Sequence, residues 1–108
     1  MGLKLRMKKH NATPVLQLSG NAVGEDVRKI SEKISGLAEG DWSTVVIDIS
    51  NLDSVDSNGL GVFVFSWKLL ESKGKRLLFL NPNGFVKDLF EGSNLHKVFT
   101  IIDSLEGL

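Results

Sequence analysis

A short polar break between two apolar runs constrains this chain more than any other feature. Val45-Val46-Ile47-Asp48-Ile49 precedes it, Val62 to Leu70 follows it, and the break itself reads Asp56-Ser57-Asn58-Gly59-Leu60-Gly61. The first run is rich in β-branched residues and almost wholly apolar. It predicts a strand over Thr44–Ile49, buried on both faces, in a sheet with parallel neighbours. The second run is long for a strand and lacks polar–apolar alternation, so it reads as a helix that is apolar almost all round. A hairpin competes with that reading. Val62-Phe63-Val64-Phe65 has strong strand propensity, and Asn58-Gly59 is a favoured type I′ turn. If the helix forms, Ser57 lies at or near its N-terminus, where free N–H groups and the helix dipole favour an anion. A phosphate on Ser57 is then locally tolerated yet changes the surface charge sharply.

The flanking sequence supplies the other elements. Leu3, Leu5 and Met7 alternate with Lys4, Arg6 and Lys8, the period of a half-buried strand. His10 to Pro14 reads as a turn, and Val15–Leu18 as the returning strand, closed by Ser19-Gly20. Val27, Ile30, Ile34 and Leu37 form one apolar stripe of a helix over 23–38, with Glu25 and Asp26 at its positive end and Gly40-Asp41 beyond its stop. Arg76–Leu80 reads as a further buried strand, Asn81–Gly84 as a break, and Phe85 to Phe90 as a short helix ending at Gly92. Lys97–Ile101 reads as the last strand, and Asp103 with Glu106 resembles a capping box for a helical stub. The pattern predicts an α/β fold over 1–108: a mixed central sheet of about five strands, with helices over 23–38 and 58–73 packed mainly on one face.

Composition removes several functions. Thirteen basic residues balance thirteen acidic ones, so no global field draws in nucleic acid or anionic lipid. Lys4, Arg6, Lys8 and Lys9 cluster locally, where they suit a solvated edge strand. The chain has no cysteine, which excludes disulfides, thiolate catalysis and cysteine-ligated zinc, and fits a cytoplasmic protein. The charged N-terminus is not a signal peptide, and no run approaches the ~20 apolar residues of a spanning helix, so no membrane insertion is expected. His10 and His96 lack carboxylate partners at motif spacing, and Ser57 lacks the Gly-x-Ser-x-Gly context. Gly59-x-Gly61 does not continue as a dinucleotide fingerprint, and no phosphate-loop lysine follows. Trp42 and Trp67 read as core or rim aromatics. No catalytic residue, metal site or cofactor is expected.

With these elements in order, the segment Val45–Leu70, VVIDISNLDSVDSNGLGVFVFSWKLL, resembles STAS domains, in particular bacterial anti-sigma-factor antagonists. The similarity extends to the Leu18-Ser19-Gly20 turn, to Lys75–Leu80 with Phe85–Phe90, and to Ser93–Phe99. The resemblance implies that Ser57 is a phosphate acceptor for a partner that is both serine kinase and anti-sigma factor, with a phosphatase reversing the step. It also implies that the unphosphorylated protein binds that partner and frees a sigma factor, making this chain a switch rather than an enzyme. Asp56 matches the family's aspartate beside the acceptor, and Gly59 and Gly61 its glycines. The implied partner-binding set is Asp56, Ser57, Asn58, Gly59, Leu60 and Gly61. Asn58 stands where related antagonists often carry serine or threonine. Gly20-Asn21-Ala22-Val23 stands where they commonly carry Gly-Glu-x-Asp.

Other assignments of the same residues stay open. Ser57 also suits a helix N-cap, which can coexist with phosphorylation. The fold equally serves a non-phosphorylated STAS adaptor that docks to a transporter, a lipid-transport ATPase or a signalling assembly through the 58–70 helix. Asp48, Asp53 and Asp56 offer a carboxylate metal site or a receiver-like acid pocket, although solvated carboxylates explain them as well. Whether the apolar helix also makes a dimer is not fixed by the sequence.

Overall fold

The computed structural model describes residues 2–108. A five-stranded sheet in the order β1-β2-β3-β4-β5 forms its centre. β1 (Leu3–His10) and β2 (Thr13–Ala22) make an antiparallel hairpin; β3 (Thr44–Val55), β4 (Arg76–Leu80) and β5 (Thr100–Ile102) continue parallel to β2. Helices α1 (Arg28–Leu37), α2 (Ser57–Ser72) and α3 (Gly84–Gly92) connect the parallel strands. This is the mixed sheet that the β-branched runs predict.

Alternation along each strand explains the two layers. Leu3, Leu16, Leu18, Val45, Ile47, Ile49, Leu77 and Phe79 point into the helix-covered core with Ile30, Ile34, Phe63, Leu70, Val86 and Phe90. Four phenylalanines lock its centre: Phe79 lies 5.4 Å from Phe63, 5.6 Å from Phe90 and 4.4 Å from Phe99, centroid to centroid. Each such ring, fully buried, contributes about 1.5–3 kcal/mol from apolar area alone. The opposite face of the sheet holds a smaller cluster of Val15, Val46, Leu78 and Leu80, flanked by Ile102, Leu105 and Leu108.

Several expectations change. Positions 57–72 are helix, so the hairpin alternative at Asn58-Gly59 is overturned; a tertiary core for Phe63 and Leu70 outweighs local strand propensity. β2 does not close at Ser19-Gly20 but runs on to Ala22 with two register irregularities against β3. The expected His10–Pro14 turn shrinks to Asn11-Ala12, with Asn11 at φ +56°. Pro14 fits inside β2 because pairing with β3 begins only at Val15, so no ladder donor is missing. β3 extends six residues past Ile49, and Asp48 and Ser50 on its open face remain half-exposed, so it is not buried on both faces throughout. The first helix divides into a 3-10 turn, Gly24–Val27, and α1. Residues 95–97 form a 3-10 turn that shortens the last strand to Thr100–Ile102. The stub expected after Asp103 is a turn, with the Ser104 hydroxyl accepting from the Glu106 N–H instead of a reciprocal box.

Candidate functional site

β3 ends at Val55 and α2 begins two residues later, so Asp56 alone makes the corner. Its backbone is extended (φ −101°, ψ −170°), the conformation of an N-cap, and its carbonyl accepts from the Leu60 N–H at 3.0 Å. Its carboxylate does more than cap. Oδ1 accepts from the Gly59 N–H at 3.0 Å; Oδ2 accepts from the Gly24 N–H at 3.0 Å and from Asn58 Nδ2 at 3.3 Å. The Asp56 N–H in turn donates to the Ala22 carbonyl at 3.3 Å. Asp56 thus ties the start of α2 to the end of β2 and to the turn that follows it. Chiefly the Gly59 N–H, then the Gly24 N–H, hold its carboxyl below the ordinary aspartate value, against a smaller desolvation effect.

The cap is therefore Asp56, not Ser57. Ser57 is the first helical residue; it is exposed, and its hydroxyl makes no hydrogen bond among the described residues. Asn58 is exposed beside it, and Leu60 is half-buried against the core. The two glycines have opposite surroundings. A Cβ on Gly59 would lie 2.3 Å from the Ala22 carbonyl oxygen and 2.8 Å from Val55 Cγ1, whereas one on Gly61 would meet nothing within 4 Å. Gly59 permits close packing of helix on strand; Gly61 leaves an open step on the outside of the helix.

Further along α2, Ser57, Gly61, Phe65 and Lys68 follow one another at helical spacing, and all are exposed. Phe65 is 47% exposed, somewhat less than Phe85 at 53%, and lies two turns from Ser57. Beside this stripe a shallow hollow of about 340 Å³ is lined by Glu25, Val27, Arg28, Ser31 and Val62. The remaining apolar residues of α2, Val62, Val64, Trp67 and Leu69, pack partly against the core, so only a narrow outer strip is unpartnered.

The three aspartates singled out in the sequence are separately engaged. Asp48 lies on the open face of the sheet, where Oδ1 accepts from the Ser50 N–H at 3.0 Å and Ser50 Oγ at 2.7 Å, and Oδ2 from Gln17 Nε2 at 3.3 Å. Asp53 is exposed on β3, and Asp56 serves the helix start. No group of three or more histidine, aspartate or glutamate residues poised for a metal occurs among the described residues. Trp42 and Trp67 are half-buried against the core, and Trp42 Nε1 donates to the Leu37 carbonyl at 2.7 Å. No helix among the described residues is long and apolar enough to cross a membrane. Sequence reasoning missed Ala22, Gly24 and Phe65. The first two act through backbone atoms and leave no side-chain signal, but Phe65 follows from the helical spacing Ser57–Gly61–Phe65 once the helix is granted.

A family model described as "Mlab, STAS domain" matches residues 5–103. The chain belongs to the STAS-domain family. This STAS domain is 28% identical over 107 residues to a protein named anti-sigma F factor antagonist from Paenibacillus polymyxa, covering 96% of the chain and 90% of that relative. Its fold matches the solved anti-sigma factor antagonist SpoIIAA in the unphosphorylated form with a TM-score of 0.80 at 27% identity, covering 95% of this chain and 90% of that one. It matches the Bacillus cell fate determinant SpoIIAA in the phosphorylated form with a TM-score of 0.74 at 26% identity, covering 95% and 93%. The expected STAS fold is thereby established.

Proposed function

We propose that this STAS domain is an anti-sigma-factor antagonist whose binding is switched at Ser57. The supporting observation is the division of labour at the start of α2. Asp56 satisfies the cap, so the Ser57 hydroxyl is left exposed, without a hydrogen bond among the described residues, on the same strip as Gly61 and Phe65. A serine needed for capping would be costly to modify; this one is not. When Ser57 is bare, the strip docks an anti-sigma factor that is also a serine kinase, and the sigma factor is released. When Ser57 carries a phosphate, close to two negative charges stand beside the Asp56 carboxylate. Desolvating them against the partner weakens docking by a few kcal/mol, on the order of a hundredfold, with no refolding. A phosphatase returns the protein to its binding state. The domain acts as kinase substrate and ligand, not as a catalyst.

The test is phosphosite mapping by mass spectrometry after incubation with a cognate anti-sigma factor kinase and MgATP. The expected product carries one phosphate, on Ser57, and Ser57→Ala carries none. A phosphate retained by the Ala variant would remove Ser57 from the role.

A further inference from the structure

The face of the sheet away from the helices carries a second feature, independent of Ser57. Cross-strand pairing sets Lys4 opposite Ser19 and Ser19 opposite Asn51; one step along, Arg6 lies opposite Gln17 and Gln17 opposite Asp48. A groove of about 500 Å³ runs over these positions, lined by Lys4, Arg6, Gln17, Ser19 and Asn51. It is continuous, through Lys4, Ser19 and Asn51, with a hollow of about 380 Å³ that ends at Asp53.

The groups in this groove are unequally occupied. Gln17 and Ser50 donate to Asp48, which makes no ion pair with Arg6 among the described residues. The single ion pair among the described residues joins Lys73 to Glu39 on the helix side, so Lys4 and Arg6 have no carboxylate partner. The side chains of Ser19 and Asn51 likewise make no hydrogen bond among the described residues. A register irregularity between Gln17 and Ser19 gives β3 an extra residue there and turns Asn51 onto this face beside Ser19. Bulges of that kind re-aim side chains. Guarding an edge strand against pairing accounts for the charges on β1. It does not account for a bulge that adds an amide and a hydroxyl next to them.

We propose that this groove binds a phosphate ester, its phosphate held by Lys4 and Arg6 and supported by Ser19 and Asn51. Residues two apart on a strand lie roughly 6.6 Å apart, so both cationic chains converge on one phosphate group. Arginine matches its oxygens in pairs, and the lysine adds a compact charge. Asp53 at the far end repels the anion and accepts from a hydroxyl or amine, so it orients the ester with its phosphate toward β1. Glycerol phosphate has this chemistry, free in solution or as the headgroup of an acidic phospholipid.

The test follows backbone amide shifts of the full chain during titration with glycerol phosphate at low salt. Saturable shifts centred on residues 4–6, 17–19 and 51 are expected, with an affinity in the millimolar range. Lys4→Gln with Arg6→Gln weakens binding by about tenfold or more while the rest of the spectrum stays unchanged. Lys29→Gln with Lys33→Gln, the same charge change on the exposed side of α1, leaves it within about twofold. Sedimentation with phosphatidylglycerol vesicles but not phosphatidylcholine vesicles, reversed by glycerol phosphate, identifies the headgroup as the source; binding of glycerol phosphate alone identifies the free ester. Shifts that do not saturate, that centre on residues 57–59, or that survive in the Lys4/Arg6 variant overturn the proposal.

Discussion

The two faces of α2 have the same helical geometry and opposite duties. Inward, Gly59, Phe63, Ser66 and Leu70 are buried, and Ser66 satisfies its hydroxyl on the Val62 carbonyl at 2.8 Å. Outward, Ser57, Gly61, Phe65 and Lys68 are exposed, and a Cβ on Gly61 would meet nothing within 4 Å. The inward face is fixed by packing, so most changes there cost stability. The outward face carries little of the fold, so it is free to specify a partner and to accept a charge. A modification on the second face can therefore alter recognition without unfolding the first.

Substitutions can break that contrast, and the largest effect is expected at Phe63. Phe63→Ala removes a ring that touches both Phe79 and Phe90 and is expected to cost about 3–5 kcal/mol in urea unfolding. An equal loss for Phe65→Ala would erase the distinction between faces. Gly59→Ala drives a methyl into the Ala22 carbonyl and is expected to cost about 1–3 kcal/mol, because backbone rather than a flexible side chain must yield.

Two residues later the sign reverses. Gly61→Ala meets open space and gains helix propensity, so it is expected to stabilise the fold by about 0.5–1 kcal/mol, read as a higher urea midpoint. The same methyl stands on the proposed docking strip and should weaken partner binding; unchanged binding would place the interface elsewhere. Ser57→Ala is expected to alter stability by less than about 0.5 kcal/mol, since its hydroxyl makes no hydrogen bond among the described residues.

The smallest expected effect is pH-dependent. The Asp56 carboxyl has its value lowered by the amides it accepts from, so its contribution is fully present above 3.8, the ordinary aspartate value. It is lost as pH falls through the lowered value beneath that. Hydrogen exchange at Gly24 and Gly59 should accelerate, beyond the intrinsic pH trend, only in that acid window. Acceleration near neutrality would mean that another group holds the turn.

Much of this was legible in the chain itself. Alternation in Leu3–Met7, the β-branched run at Val45–Ile49 and the stripe Val27–Leu37 are local patterns with one dominant period, and they announced their elements. The helix at 57–72 was legible only by length, because its residues prefer strand locally and are helical for tertiary reasons. The failures have the same cause. Nothing local distinguishes Gly59 from Gly61, since the difference is the distance to a carbonyl 37 positions earlier. Asp56 could be matched to a family aspartate, but its hold on the Gly24 amide depends on where β2 ends. The capping box at Asp103 and Glu106 failed because Leu105 and Leu108 turn back onto the apolar cluster of the open face.

One affinity comparison bears on the Ser57 switch more than any other. Calorimetric titration of a cognate anti-sigma factor kinase with this protein, unmodified and then phosphorylated at Ser57, measures the proposed switch itself. Tight binding of the unmodified protein, on the order of a hundredfold weaker after phosphorylation with an unchanged unfolding midpoint, is the expected result. Equal affinity for the two forms, or a midpoint that falls with the phosphate, would contradict a switch built on the outward face of α2.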